Sequence, residues 1–139
     1  MLAELHAATS QVLAVRGNND VPSKWPRAEH GGLRALTEEV CADLPGGQLV
    51  AIHGDWIPPA SRHRRLRAMF PAARAIVYGH SHHLVVDDGE SPWILNPGAA
   101  GRARTFGGPS CLMLEASVRR WRVEPRRFSL PAVVQVAPG

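Results

Sequence analysis

The chain has little of several residue types, and each shortage excludes a class of protein. Among its 139 residues are only two cysteines, Cys41 and Cys111, which have neither metal-site spacing nor a disulfide framework. They fit the reducing conditions of the cytoplasm. No run of about 18 apolar residues could span a membrane, and residues 1–6 lack the basic and apolar regions of a signal peptide. We therefore expect a cytoplasmic protein with no membrane partner.

Lysine and aromatic residues are also scarce. Lys24 is the only lysine among 16 basic residues, and aromatic residues make up 6% of the chain. The net charge of +4 therefore comes from arginine, much of it clustered in residues 62–67 and 119–127. Such clusters can bind phosphate or nucleic acid, but no aromatic stacking platform accompanies them. We favour a solvated helix face and an exposed strand over a nucleic-acid surface.

What is present fits one globular domain. Hydrophobic residues make up 45% of the chain and charged residues 20%, both ordinary values for a globular protein. The length is sufficient for a single hydrophobic core. We assign residues 1–128 to this domain and residues 129–139 to a C-terminal tail.

Short apolar runs bounded by glycine and proline predict the secondary structure. Residues 21–35, with two prolines and two glycines, predict an irregular loop. Helices are predicted at residues 2–10 and 60–70, and buried strands at 12–15 and 75–78. Three hairpins are predicted, formed by residues 36–44 with 48–52, 84–86 with 92–95, and 111–114 with 118–123.

Three histidines follow the predicted strand at residues 75–78. Gly79 ends the strand, and His80, His82 and His83 come next. In an extended segment alternate side chains point the same way, so His80 and His82 would converge while His83 faces away. Imidazole is the commonest metal-ligating side chain, and ligands bind at the carboxyl ends of strands in open α/β sheets. Neighbouring surface histidines are common too, so this pattern alone leaves both interpretations open.

Two other predicted strands end in similar polar residues. The three blocks are residues 17–20 (Gly-Asn-Asn-Asp), 53–55 (His-Gly-Asp) and 79–82 (Gly-His-Ser-His). Their glycines let the backbone turn sharply and approach a ligand closely. Mixed histidine, asparagine and carboxylate donors suit Mn, Fe or Zn better than Mg alone. Together the strand ends predict one shared metal site, although each block alone also fits an ordinary turn.

With residues 96–98 (Asn-Pro-Gly), these blocks read G-N-x-D, H-G, G-H-[ST]-H and N-P-G. In order and spacing the pattern resembles the calcineurin-like metallophosphoesterases, in particular their small bacterial and archaeal phosphodiesterase branch, over residues 2–124. The resemblance implies a four-layer α-β-β-α sandwich of the α/β class, with two mixed sheets packed face to face and helices outside. It also implies hydrolysis of a phosphate ester, in particular a phosphodiester, by in-line attack of metal-bound hydroxide.

The resemblance further implies roles for individual residues. Asn18, His53 and His80 would be ligands of one metal ion, and His82 a ligand of the other. Two residues are candidates for catalysis: Asp20 would orient groups, and Asn19 stands where many members have His or Cys. Asp55 takes a position that is often a second His. Arg102 and Arg104 are candidates for bidentate phosphate binding, and a solvated loop is an equal alternative for both.

Two motifs of the family are missing. Members of the family begin with two strands that end in D-x-H and G-D. These motifs supply acidic ligands and the carboxylate that bridges the two metals. Nothing before Val12 in this chain matches them. Two divalent ions about 3.5–4 Å apart repel by on the order of 20 kcal/mol at an effective dielectric near 20. The remaining ligands are neutral. We therefore expect an N-terminally truncated sandwich that holds at most one ion, weakly, and has impaired activity; reading the coding DNA upstream of Met1 tests this.

The resemblance also bears on cofactor and partners. Mn is the expected metal, with Fe, Zn, Ni and Mg as alternatives, and the complete family site holds two ions. The expected partner is a small phosphate-ester substrate, and exposed sheet edges favour homo-oligomers. One rival is a non-catalytic protein-interaction module, as in the retromer subunit with this fold. Another is an arginine-rich nucleic-acid binder.

Overall fold

The computed structural model describes residues 2–101 and 104–130. Its helices are α1 (Leu2–Ala8), α2 (His30–Ala35) and α3 (Arg62–Met69), with single 3-10 turns at Pro22–Lys24, Arg27–Glu29 and Pro59–Ser61. Its strands are β1 (Glu39–Leu44), β2 (Gly47–Ile52), β3 (Ala75–Tyr78), β4 (Leu84–Asp87), β5 (Trp93–Pro97), β6 (Ser110–Ala116) and β7 (Trp121–Arg127). None of the helices in these residues is long and apolar enough to cross a membrane.

The strands form two sheets. A five-stranded sheet has the order β1-β2-β3-β5-β4, in which β2, β3 and β5 are parallel and the edge strands β1 and β4 are antiparallel to their neighbours. Strands β6 and β7 form a second, antiparallel sheet. Parallel pairing places the carboxyl ends of β2 and β3 side by side, with Ile52 opposite Tyr78. The polar residues that follow these two strands therefore begin next to each other.

Alternating side chains of the five-stranded sheet fill two hydrophobic cores. On one face Val50, Ile76 and Ile94 pack with Leu66 of α3. On the other face the core contains Trp121 of the second sheet, together with the side chains Ala75, Leu95, Leu112 and Leu114. The predicted α/β class is confirmed, and the two sheets pack face to face with α3 outside. The fourth, helical layer stays a prediction.

The three predicted hairpins are confirmed as β1–β2, β4–β5 and β6–β7. The β1–β2 turn shows why its glycines are needed. Gly46 has a φ of 88°, and a Cβ there would lie 2.4 Å from the Ser117 carbonyl oxygen. Trp121 Nε1 donates a hydrogen bond of 2.7 Å to the Pro45 carbonyl. The turn is thus packed against the second sheet, which links the two.

The predicted buried strand at residues 12–15 is wrong. Only Val15 pairs with another strand-like residue, in a single parallel bridge to Thr37, and the Leu13 side chain is 67% exposed. An apolar run becomes a strand where a neighbour offers both backbone hydrogen bonds and a surface to pack against. In the described residues, this run has one such contact.

The predicted irregular loop at residues 21–35 is also wrong in part, because it contains two 3-10 turns and α2. Two features inside this glycine-rich segment order it. His30 Nε2 lies 3.0 Å from both the Pro22 and the Trp25 carbonyl oxygens, and Leu33 is buried. Glycine lowers helix propensity without preventing a helix that tertiary contacts stabilise.

The predicted solvated face of α3 is confirmed in part, because Arg64 and Arg65 are exposed but two other arginines of the helix are not. Arg62 is buried and its guanidinium lies 5.3 Å from the centre of the Tyr78 ring. Arg67 pairs with Asp87 at 3.0 Å and donates to the Pro92 carbonyl at 2.9 Å. Arg119, Arg120, Arg122, Arg126 and Arg127 are exposed, as predicted for the second cluster. The domain boundary at residue 128 stays a prediction.

Candidate metal centre

The site begins where β2 and β3 end. His53 follows β2 directly, and its carbonyl accepts a hydrogen bond of 3.1 Å from the amide of Gly79, which follows β3. This contact brings the two histidine-bearing ends together. The His53 and His80 rings meet edge to face, with centroids 5.3 Å apart and planes at 82°. The two strand ends predicted to converge therefore do so.

The third predicted strand end joins them through Asn18. Its Oδ1 lies 2.9 Å from His53 Nε2. Because an amide oxygen only accepts, His53 donates this hydrogen bond and carries a proton on Nε2. Burial lowers the pKa of His53, and the charge of Asp55 opposes this shift only in part. His53 is therefore neutral at pH 7, the state in which imidazole can ligate a metal.

The His53 ring lies between two glycines. A Cβ on Gly17 would be 3.0 Å from His53 Cε1 and 3.2 Å from Nδ1. A Cβ on Gly79 would again be 3.2 Å from Nδ1. A Cβ at either position would require the ring to shift by a few tenths of an ångström. The glycines were predicted to allow sharp turns and close approach to a ligand; what the structure shows at Gly17 and Gly79 is close packing of the His53 ring.

His80 and His82 share a pocket of about 260 Å³ with Asn18, His53 and Arg104; we call these five residues the histidine pocket. The predicted extended backbone is wrong, because φ is 62° at His80 and 61° at His82. These left-handed conformations, rather than strand alternation, turn both side chains toward the pocket. His83 is exposed, and its ring stacks on Phe106 with centroids 3.8 Å apart.

Asn96 holds the loop that bears these histidines. Its fully buried side chain donates to the Gly79 carbonyl at 3.1 Å and to Ser81 Oγ at 3.0 Å. Its Oδ1 accepts a hydrogen bond of 2.9 Å from the amide of Gly98. The Asn-Pro-Gly block was predicted as part of a family pattern. In the structure its asparagine lies within β5 and holds the neighbouring loop through these hydrogen bonds.

The two candidates for catalysis are bonded within their own loop. Asp20 accepts hydrogen bonds from the Gly17 amide at 2.6 Å and from Trp25 Nε1 at 3.2 Å. Asn19 Oδ1 accepts one from Lys24 Nζ at 2.5 Å. Both residues line the pocket. Sequence reasoning missed Lys24 and Trp25, because nothing in the pattern of motifs marks these two partners.

His82 is held by a carbonyl from another loop. Its Nδ1 lies 3.0 Å from the Arg104 carbonyl oxygen, so Nδ1 is the donor, and in the neutral ring the lone pair lies on Nε2. The Arg104 side chain is exposed at the pocket. Arg102, the other predicted phosphate contact, lies outside the described residues. Asp55 is exposed and reaches His53 only through its charge.

The donor set suits one ion better than two. Within the described ranges no group of three or more His, Cys, Asp or Glu side chains is arranged to hold a metal. The three histidines and the asparagine of the histidine pocket thus line one cavity without meeting at a single point. As metal ligands, all four would be neutral donors. Nitrogen and amide oxygen donors match a divalent transition metal, but they carry no charge to offset the repulsion between two ions. Their role as ligands stays a prediction.

Comparisons with known proteins agree on the fold. Vps29 from Entamoeba histolytica complexed with Zn²⁺ is similar with a TM-score of 0.67 and 17% identity, over 91% of this chain and 73% of that one. Vps29 from Cryptosporidium parvum gives 0.60 and 21%, over 93% and 75%. An archaeal phosphodiesterase gives 0.58 and 17%, over 82% and 68%. A comparison with curated proteins finds no match. Residues 1–119 match the model of the calcineurin-like phosphoesterase superfamily domain, and the chain therefore belongs to that superfamily.

Proposed function

We propose that this chain binds one divalent metal ion in the histidine pocket and hydrolyses a phosphate ester, in particular a phosphodiester. The observation that carries the proposal is the 2.9 Å separation of Asn18 Oδ1 and His53 Nε2. An amide oxygen and an imidazole nitrogen are donor types that divalent transition metals accept. An ion held by this pair would take the place of the proton that now joins the two atoms.

The other pocket residues complete the coordination in this proposal. His80 and His82 line the same pocket and add nitrogen donors, His82 through the Nε2 that its carbonyl contact leaves free. The ion that these residues would hold would supply Lewis-acid chemistry toward a phosphoryl oxygen. Arg104, exposed at the pocket, binds a second phosphate oxygen through its guanidinium. We propose Arg102 for the same task.

Asn19 and Asp20 have supporting roles. Asp20 holds the Gly17 amide and thereby the glycine against which the His53 ring rests. Asn19 is paired with Lys24, and together they offer a hydrogen-bond donor near the leaving group. Because Lys24 is a cation, the pair can stabilise a developing alkoxide. We propose a small phosphate ester as the substrate, because the described lining of the pocket contains no Phe, Tyr or Trp on which a nucleic-acid base would stack.

Manganese remains the metal that we propose, with Fe, Zn, Ni and Mg as alternatives. The donor chemistry allows Zn²⁺, and the Vps29 neighbour complexed with Zn²⁺ supports that alternative. We propose one ion, bound weakly, because each donor in the pocket is neutral. An acidic ligand would be needed to hold two divalent ions side by side.

Calorimetric titration of the metal-free chain with Mn²⁺ and with Zn²⁺ tests the metal site. We expect one site per chain, weaker than micromolar, which disappears in His53→Ala. His6→Ala, which removes an exposed histidine of α1, serves as the matched control and should bind as the wild type does. Two sites of micromolar affinity or tighter, or unchanged binding in His53→Ala, would overturn the proposal.

Hydrolysis of bis(para-nitrophenyl) phosphate tests the activity. We expect slow release of nitrophenolate that depends on added Mn²⁺ and is lost in His53→Ala but kept in His6→Ala. A chain that binds the metal but releases no nitrophenolate would contradict the catalytic part alone.

A non-catalytic interaction module is the second candidate, and the fold shared with Vps29 favours it. In that case metal binding without hydrolysis is the expected result. Light scattering would show whether the partner is a second copy of this chain, since β1 and β4 are edge strands. A steep dependence of DNA binding on salt would instead support a nucleic-acid partner.

A further inference from the structure

The bond between His82 and the Arg104 carbonyl decides which ring nitrogen of His82 faces the pocket. A carbonyl oxygen only accepts, so the 3.0 Å contact requires the proton on Nδ1. Nε2 is then the nitrogen with a lone pair. If the carbonyl moved away, water could bond either nitrogen, and the ring would lose its fixed orientation. The position of a single backbone oxygen therefore sets the chemistry of this side chain.

That oxygen lies in a segment with little regular structure. Residues 104–108 contain no helix or strand, and the Arg104 side chain is exposed. Arg104 has a φ of 57°, a left-handed conformation that a residue other than glycine keeps only where its surroundings enforce it. The hydrogen bond from His82 Nδ1 holds the Arg104 carbonyl from one side. A second contact among the described residues ties the same segment to the loop that bears the histidines.

The stacked pair of His83 and Phe106 is such a contact. The two rings are 3.8 Å apart and inclined by 14°, although Phe106 is 51% exposed. His83 is next to His82 in the chain, and Phe106 is two residues after Arg104. The stack therefore joins the same two segments as the His82–Arg104 bond, at an adjacent point.

The far side of the segment is held by β7. Arg127 donates a hydrogen bond of 2.8 Å from its guanidinium to the Phe106 carbonyl. A Cβ on Gly107 would lie 2.6 Å from the same guanidinium, so the turn fits closely around it. Phe106 is thus fixed by its ring on one side and by its backbone on the other.

We propose that His83 and Phe106 are positioning residues, which keep the Arg104 carbonyl on His82 Nδ1 and so present Nε2 to the pocket. Neither residue lines the pocket, and both act through the carbonyl. The effect on metal binding rests on the proposed function, because it assumes that His82 ligates the ion. The effect on the tautomer of His82 does not depend on any metal.

NMR of the metal-free chain with ¹⁵N-labelled histidine reads the tautomer directly. We expect His82 to carry its proton on Nδ1 in the wild type and in Phe106→Trp, which keeps the stack. Phe106→Ala should give a mixture of tautomers. Phe128→Ala is the matched control, since Phe128 is a similarly exposed ring at the end of β7, and it should leave His82 unchanged. His82 fixed on Nδ1 in Phe106→Ala, or altered equally in Phe128→Ala, would overturn the proposal.

A second pair of variants guards against misfolding of Phe106→Ala. His83→Ala removes the stack from the other side, whereas His83→Phe keeps it, so only the former should change the His82 signals. In parallel, Zn²⁺ affinity should fall about tenfold in Phe106→Ala and His83→Ala, the lower end of what loss of an outer-shell contact costs. If the tautomer changes as expected but no variant and no wild type binds metal, the positioning role stands and the proposed function fails.

Discussion

Two histidine clusters lie on this small domain and differ in how their ring nitrogens are used. In the ion-pair cluster, formed by His63, Arg67, Tyr78 and Asp87, both nitrogens of His63 are occupied. Nδ1 lies 3.0 Å from Asp87 Oδ2, and Nε2 lies 3.3 Å from the Tyr78 hydroxyl. In the histidine pocket, His53 and His82 each have one nitrogen bonded, and their partners are a neutral amide and a neutral carbonyl.

The difference separates a structural histidine from a candidate ligand. The ion-pair cluster pairs its charges internally, with Arg67 bound to Asp87 at 3.0 Å and to Glu90 at 3.4 Å. Such a cluster needs no further ligand. The histidine pocket leaves lone pairs and bends the backbone at His80 and His82 to direct them. Strain at non-glycine residues is typical of functional sites and is seldom kept without cause.

The largest effect is expected at Asn96, whose side chain holds the loop that bears His80 and His82. Asn96→Ala removes three hydrogen bonds from a fully buried position. It should lower the free energy of unfolding by about 2–3 kcal/mol, because the Gly79 carbonyl and Gly98 amide lose their partner. Urea unfolding measures this. Asn19→Ala, at an exposed position, is the control and should cost less than about 0.5 kcal/mol. A loss below that level in Asn96→Ala would show that the pocket loop is held elsewhere.

Gly17→Ala tests whether metal binding depends on the position of the His53 ring. Its Cβ would crowd the His53 ring at 3.0 Å, so Zn²⁺ affinity should fall about tenfold, equal to about 1.4 kcal/mol. Calorimetric titration measures the change. Gly31→Ala, where a Cβ meets nothing within 4 Å, should keep the affinity. Equal affinities for the two variants would mean that the ring does not need its place between the glycines.

Asp87→Asn disrupts the ion-pair cluster instead. It weakens the contacts with Arg67 and His63 and should destabilise the fold by about 1 kcal/mol, since the pair is partly exposed. Zn²⁺ binding should stay at the wild-type level. Urea unfolding and titration of the same sample decide this. Loss of metal binding would show that the two clusters are coupled and that the comparison is invalid.

Lowering the pH should reduce the free energy of unfolding through the two clusters in different pH ranges. These are the smallest effects that we expect. Burial lowers the folded pKa of His53 below 6.5, so stability is lost as pH falls from 6.5 toward that pKa. Burial of Asp87 would raise its pKa, but hydrogen bonds from Arg67 and His63 prevail and lower it. Its contribution is present above 3.8 and lost below it, toward the folded pKa.

Unfolding measured across pH separates these contributions. In His53→Gln the free energy of unfolding should no longer fall as pH drops below 6.5, and it should still fall below pH 3.8. In Asp87→Asn the fall below pH 6.5 should remain and the fall below 3.8 should disappear. A wild type whose stability is constant from pH 7 down to about 5 would contradict the direction assigned to His53.

Much of the fold follows from local pattern. All three hairpins, α3 and the strand at residues 75–78 lie where apolar runs and turn residues place them. The sequence also predicts which strand ends meet, because blocks that combine glycine with donor residues follow three of its apolar runs, at residues 17–20, 53–55 and 79–82. The two failures have different causes. Residues 12–15 lack a strand beside them, and residues 21–35 are ordered by His30 and Leu33 from within a segment of low helix propensity.

By itself, the sequence determined the class of fold, the family motifs and the identity of the donors, since these depend on composition, spacing and residue chemistry. Tertiary structure alone decided how the donors are presented. The left-handed backbone at His80 and His82, the place of His53 between two glycines and the carbonyl on His82 each depend on residues distant in the chain. No local pattern encodes such contacts, because the energy of each one exists only when the segments have packed together.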